Sequence, residues 1–180
     1  MSVMTQALVE CVIEDERWHD LDLPDLAERA ARTVLADRGL APERFEIALM
    51  ACDDARIAAL NAAFRGRDAP TNVLSWPAQD YPPRADGTAP PAPAPGPPDD
   101  PAGLGDLALA FETCAREARE YGRTLDDHVT HLVAHGVLHL LGHDHTRDGD
   151  AALMEAIEVR LLASLGVANP YEEAGAHRPG

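Results

Sequence analysis

The residues best able to do chemistry in this chain are four histidines crowded into His135-Gly136-Val137-Leu138-His139-Leu140-Leu141-Gly142-His143-Asp144-His145. An α-helix turns about 100° per residue, so two histidines four positions apart lie about 40° from each other on one face. His135 and His139 can therefore grip one ion. Were the helix to continue, His145 would fall on nearly the opposite face. Gly142 removes that obstacle, because glycine takes the left-handed conformation at a helix C-terminus without a Cβ clash, and the chain can then fold back. His145 is expected to return to the same ion.

Three neutral nitrogen ligands suit Zn²⁺, and a site with three protein ligands keeps a fourth position for water, as catalytic zinc sites do. The expected cofactor is one Zn²⁺ per chain on His135, His139 and His145. Two other readings compete: a run of surface or core histidines without a metal, and a structural zinc closed by His131, His143 or Asp144. His128 and His131 extend the stripe upstream, where they are expected to support or pack against the site rather than bind the ion.

These residues need elements to position them. Ala7 to Ile13 is β-prone, and Pro24 to Arg38 reads as an amphipathic helix stopped by Gly39. Phe45, Ile47, Leu49 and Ala51 alternate as one face of a strand, after which Asp53 or Asp54 can cap a helix bearing Ile57, Leu60 and Phe64. Gly66 and Pro70 mark a loop into a short strand at Asn72 to Trp76. Arg65 and Arg67 at that entry could meet a phosphate, although exposed arginines beside Asp68 also suit an ordinary solvated turn. Gly105 to Phe111 reads as another strand and Thr113 to Tyr121 as a short helix ended by Gly122.

Thr124 and Asp127 have capping-box spacing, which starts the histidine helix near Leu125 and lets it run to Leu141. Apolar residues on every side of it predict a buried central helix. Asp148 or Asp150 should cap a last helix ended by Gly166, followed by a frayed tail from Ala174. Nine of the fifteen prolines fall between Pro82 and Pro101. That segment, about 82–103, has almost nothing to bury and reads as a flexible insertion between two strands of a single domain spanning 1–180.

Composition narrows the function. The net charge of −16 argues against general affinity for nucleic acid, DNA included, so any such role rests on a local patch. All fifteen basic residues are Arg, so lysine Schiff-base chemistry is excluded. No stretch is long and apolar enough to span a membrane, the N-terminus lacks signal-peptide character, and Cys11, Cys52 and Cys114 form no CxxC pair. A cytoplasmic protein with free thiols is expected. There is no GxSxG, Walker loop or GxGxxG, and with only Ser2, Ser75 and Ser164 a serine triad is disfavoured. The His135, His139, Gly142, His145 spacing is similar to that of the metzincin proteases, but Gly136 stands where their general-base Glu belongs, so peptide hydrolysis is disfavoured.

The sequence resembles the YbeY family of bacterial metal-dependent endoribonucleases. The likeness rests on HGVLHLLGHDH (135–145), RGRDAPTNVLSWP (65–77), LGDLAL (104–109) and Asn169-Pro170-Tyr171. His143 departs from a frequent Tyr and Trp76 from a usual Phe. The resemblance implies an α/β (α+β) fold: one mixed four-stranded sheet packed against about five helices, with a central zinc-binding helix in a metzincin-like arrangement. It implies cleavage of single-stranded RNA during ribosomal RNA processing, including 16S rRNA 3′-end maturation, and a part in ribosome quality control. It places the metal on His135, His139 and His145 and a catalytic arginine on Arg65. Small-subunit ribosomal components and a ribosome-assembly GTPase are its implied partners. A zinc protease-like hydrolase, or a non-catalytic assembly factor with a structural zinc, are the alternatives.

Overall fold

A computed structural model describes residues 6–65 and 71–172, with the side chains of residues 64 and 65 outside that description. Four strands, β1 (Val9–Ile13), β2 (Phe45–Cys52), β3 (Val73–Pro77) and β4 (Ala102–Ala110), form one sheet in the order β1-β2-β4-β3. β1 and β4 run parallel to β2, while β3 is antiparallel to β4. The sheet is mixed, as expected. Five α-helices accompany it: α1 (Leu23–Asp37), α2 (Asp54–Arg65), α3 (Phe111–Glu120), α4 (Leu125–Leu140) and α5 (Asp148–Ser164).

The alternation in β2 sorts the two faces of the sheet. Phe45, Ile47, Leu49 and Ala51 point into the main core with Leu107 and Leu109 of β4, and α1, α4 and α5 cover that side. α4 sits at its centre, with Val129, Leu132, Val133, Val137, Leu138 and Leu140 all fully buried. Burial of side chains of this size stabilises by about 1.5–3 kcal/mol each. The opposite face carries a smaller cluster of Cys52, Ile57, Leu74, Ala108 and Ala110 under α2. α2 leaves part of that face open as an apolar groove of about 570 Å³, lined by Val12, Met50, Leu60 and Trp76 among others.

Several boundaries shift from expectation for identifiable reasons. Phe111 begins α3 rather than ending β4, and its ring meets Trp18 edge-to-face at 5.2 Å. Trp18 lies in a 3₁₀ turn, Glu16–Asp20, that periodicity does not reveal, and its indole N–H donates to the Cys52 carbonyl at 2.8 Å. Asp53 caps α2 by accepting from the Arg56 amide, whereas the Asp54 carboxylate accepts from the Thr113 amide and hydroxyl. Cys52 and Cys114 are buried, Cys11 is half-buried, and all three are free thiols. Among the described residues no helix is long and apolar enough to cross a membrane.

The proline-rich segment between β3 and β4 has no regular secondary structure, but it has partners that its composition does not suggest. Gly96 and Arg44 pair reciprocally: the Gly96 amide donates to the Arg44 carbonyl at 3.1 Å and the Arg44 guanidinium donates to the Gly96 carbonyl. Ala89 to Pro93 roof a cavity of about 160 Å³ over Leu40, Leu141 and His143. Asp86 caps α5, its carboxylate accepting from the amides of Asp150 at 2.8 Å and Gly149 at 3.1 Å. This corrects the expected local cap. Arg147 occupies the N-cap position with no side-chain cap bond, and the Asp150 carboxylate turns back to accept from the Gly87 amide.

A helix cap is worth about 1 kcal/mol, so Asp86→Ala should lower the melting temperature by about 2–4 °C in a domain of this size. An unchanged melting temperature, followed by circular dichroism, would show that the insertion adds no stability at that end of α5.

Candidate metal centre

α4 delivers the first two histidines, and both ends of the helix form as local chemistry dictates. Thr124 accepts from the Asp127 amide at 3.1 Å at the start. At the end the His143 amide donates to the Leu138 carbonyl and the Gly142 amide to the His139 carbonyl, each at 3.0 Å. This pair of bonds is the Schellman ending, and it requires the left-handed conformation that Gly142 adopts at φ 97°. Gly142 is needed twice, since a Cβ there would also sit 2.6 Å from the Tyr81 ring. Tyr81 lies flat over the turn and donates its hydroxyl to the Leu140 carbonyl at 2.7 Å.

The turn brings His145 back. One ring nitrogen from each of His135, His139 and His145 lies within 4.8 Å of the others, a group that could hold a metal ion. His128 and His131 stay out of this group and bond to buried carboxylates instead: His128 to Glu117 at 3.0 Å and His131 to Glu158 at 2.9 Å.

Proton placement shows why the group suits a cation. His135 Nδ1 lies 2.6 Å from the Glu158 carboxylate, and His139 Nδ1 lies 2.9 Å from the His143 carbonyl. Both partners can only accept, so both Nδ1 atoms carry hydrogen. The two Nε2 atoms, on the opposite side of each ring from these partners, are 2.9 Å apart. With both Nδ1 atoms committed, Nε2 is the atom each ring would offer to an ion. Nitrogens sharing a tetrahedral Zn²⁺ would stand about 3.3 Å apart, close to what is seen.

Burial disfavours the charged form of His139, His143 and His145. Burial, then the nearby His135 and His145, pushes His139 down to about 3. Burial, then Arg38 and Arg84, takes His143 down to about 4, and burial followed by His135 lowers His145. Burial alone would raise the Glu158 carboxyl, but the hydrogen bonds from His131 and His135 outweigh it and hold the group ionised.

Glu158 escaped the sequence reading because it depends on pairing across 23 residues. The available signal was a carboxylate placed between Met154 and Leu161 on the buried stripe of α5. The third His-bearing turn borders a cleft of about 570 Å³, whose walls include Val73, Ser75 and Pro77 of β3 and Tyr81. β3 therefore runs beside the histidine helix. Arg65 is the last residue of α2, at the start of the connection to β3, and its side chain lies outside the described residues. Gly136 faces the sheet, not the cleft: a Cβ there would lie 2.8 Å from Leu107 Cδ2 and 3.4 Å from Ser75 Oγ. A side chain at this position would press on the end of the Leu107 side chain, which would have to shift to admit it.

The family profile described as Endoribonuclease YbeY matches residues 11–166. The chain belongs to the YbeY endoribonuclease family. It is 58% identical over 167 residues to the endoribonuclease YbeY of Dinoroseobacter shibae, covering 93% of this chain and 92% of that one. It is also 58% identical to the Cereibacter sphaeroides endoribonuclease YbeY, covering 92% and 99% of the two chains. A protein of Thermotoga maritima solved in solution shares the fold at a TM-score of 0.52 and 20% identity, over 94% of this chain and 99% of that one.

Unfolded imidazoles titrate near 6.5. Because His139 and His143 are held down to about 3 and about 4 in the fold, below pH 6.5 the unfolded chain takes up protons that the native state refuses. Their stabilising contribution is complete above pH 6.5 and is lost as the pH falls through that window. Urea unfolding of metal-free protein should therefore show a loss on the order of 1 kcal/mol per histidine between pH 7.5 and 5. A flat stability over that range would mean that the rings are not held neutral.

Proposed function

We propose that this member of an endoribonuclease family cleaves single-stranded RNA with one divalent metal ion, zinc, held by His135, His139 and His145. The observation that supports this most is the convergence of one ring nitrogen from each of the three histidines within 4.8 Å, with the Nδ1 atoms of His135 and His139 already committed. All-imidazole donor sets suit zinc, and three ligands leave a position for water or substrate. Bound there, such an ion polarises a phosphoryl oxygen and lowers the pKa of its water to about 7.

The chain's own residues divide the remaining work. Glu158 and the His143 carbonyl fix the ring tautomers so that His135 and His139 present Nε2. The cleft between β3 and the turn at 142–146 is the space in which a phosphodiester would lie. Arg65 is assigned the transition-state contact: a guanidinium can meet two phosphate oxygens at once and stabilise the charge that develops on them. Its place between α2 and the strand lining the cleft supports this assignment, as does the resemblance of the 65–77 stretch to the family. The same resemblance supports ribosomal RNA as substrate, small-subunit ribosomal components and a ribosome-assembly GTPase as partners, and a cytoplasmic location.

Single-turnover cleavage of a labelled single-stranded RNA, with saturating enzyme of defined metal content, tests the reading. His139→Ala should lose metal and cleavage together. Arg65→Ala should keep metal and fold but lose roughly a hundredfold or more in rate, since a charge-assisted contact to a developing phosphorane is worth several kcal/mol. Arg65→Lys should recover part of it. Wild-type rates in Arg65→Ala would end the catalytic role of the arginine, and RNA cleavage that persists in metal-free protein would end that of the metal.

A further inference from the structure

The segment that follows α5 returns to the histidine helix. The Pro170 carbonyl accepts from the Arg123 guanidinium at 2.9 Å, which anchors the segment beside the start of α4. The Tyr171 amide donates to the Asn169 side chain at 2.8 Å, closing a tight Asn-Pro-Tyr turn. This turn aims the Tyr171 hydroxyl at the Glu158 carboxylate, to which it donates a short hydrogen bond on Oε2. The tyrosine ring stands edge-on to His131, with centroids 5.6 Å apart.

Glu158 is fully buried, and its two oxygens are shared out. Oε1 accepts from His135 Nδ1 at 2.6 Å, while Oε2 takes His131 Nε2 at 2.9 Å and the Tyr171 hydroxyl. A buried carboxylate with so few partners is held in orientation by each of them, because its desolvation is offset only while its lone pairs are filled. Tyr171 and His131 therefore set the angle at which Oε1 meets His135. A carboxylate on Nδ1 fixes the tautomer and makes Nε2 a stronger donor to a metal.

We propose that Tyr171 and Glu158 form a latch that positions His135, so that the segment after α5 sets the affinity of the metal site. The proposal rests on the three-histidine reading above. It assigns a task to the Asn169-Pro170-Tyr171 stretch, which lies outside the 11–166 region matched to the family. Tyr171, His131 and Glu158 are positioning residues, since none of them presents an atom to the ion.

The test is Zn²⁺ affinity, measured by competition with a chelator at a temperature where circular dichroism shows each metal-free variant folded. Partners of this kind typically govern metal affinity by 10–100-fold. Glu158→Gln should bind Zn²⁺ about 10–100-fold more weakly than the unaltered protein, and Tyr171→Phe about tenfold more weakly. Arg160→Ala serves as the stability control: it breaks the ion pair with Asp37 at 2.8 Å on the exposed side of the same helix. It should lower the melting temperature, if anything, and leave Zn²⁺ affinity unchanged. Should Glu158→Gln fail to fold, Tyr171→Phe alone decides. Unaltered Zn²⁺ affinity in Tyr171→Phe overturns the latch while leaving the three-histidine site intact. An unaltered protein that binds no Zn²⁺ overturns the site itself, and the latch with it.

Discussion

His135 and His139 present their Nε2 atoms to one another across 2.9 Å because the other nitrogen of each ring is committed, one to Glu158 and one to the His143 carbonyl. Holding polar rings together in a part-buried site costs desolvation and side-chain entropy, and the chain sustains that with stability drawn from elsewhere. The fully buried Leu132, Val133, Val137 and Leu138 hold α4 in the core whether or not an ion is present. Rigid placement of the rings is what a metal site requires, since ligands that need not reorganise bind without an ordering cost.

The third histidine lies on a turn, and two residues of the β3–β4 connection secure that turn from both sides. Tyr81 lies on Gly142 and bonds the last carbonyl turn of α4, while Asp86 caps the first turn of α5. The connection thus spans the turn at its two ends. On the other side of α4 Gly136 packs on the sheet, where a Cβ would meet the end of the Leu107 side chain at 2.8 Å. With glycine at this position the helix lacks the glutamate on which peptide hydrolysis of the metzincin type relies. Phosphodiester chemistry needs no base at that position if charge on the phosphate is met by an arginine and the nucleophile by a metal.

Local rules reach a long way into this chain. Spacing alone brings out His135 and His139, and Gly142 announces the turn that returns His145, because a left-handed residue at a helix end is a one-position signal. Strand alternation in β2 and the Thr124 cap are legible for the same reason. The features that stay hidden are pairings across long stretches of sequence. Asp86 reaches the amide of Asp150, Tyr81 the carbonyl of Leu140, and Glu158 the ring of His135. Asp148 and Asp150 look like caps because they sit at the right offset, yet the carboxylate that does the capping arrives from the proline-rich segment. Nothing in a run of prolines and alanines signals this, since backbone partners and one aspartate carry the contact. The role proposed for Arg65 rests on family resemblance, because an arginine at the end of a helix is by itself as consistent with solvent as with phosphate.

Everything proposed for this site depends on whether the three histidines hold one ion. Elemental analysis of protein purified without chelator measures this directly. One transition-metal ion per chain, released on acidification below the range where the rings stay neutral, is the expected result. No bound metal, or two ions per chain, would contradict the site as described.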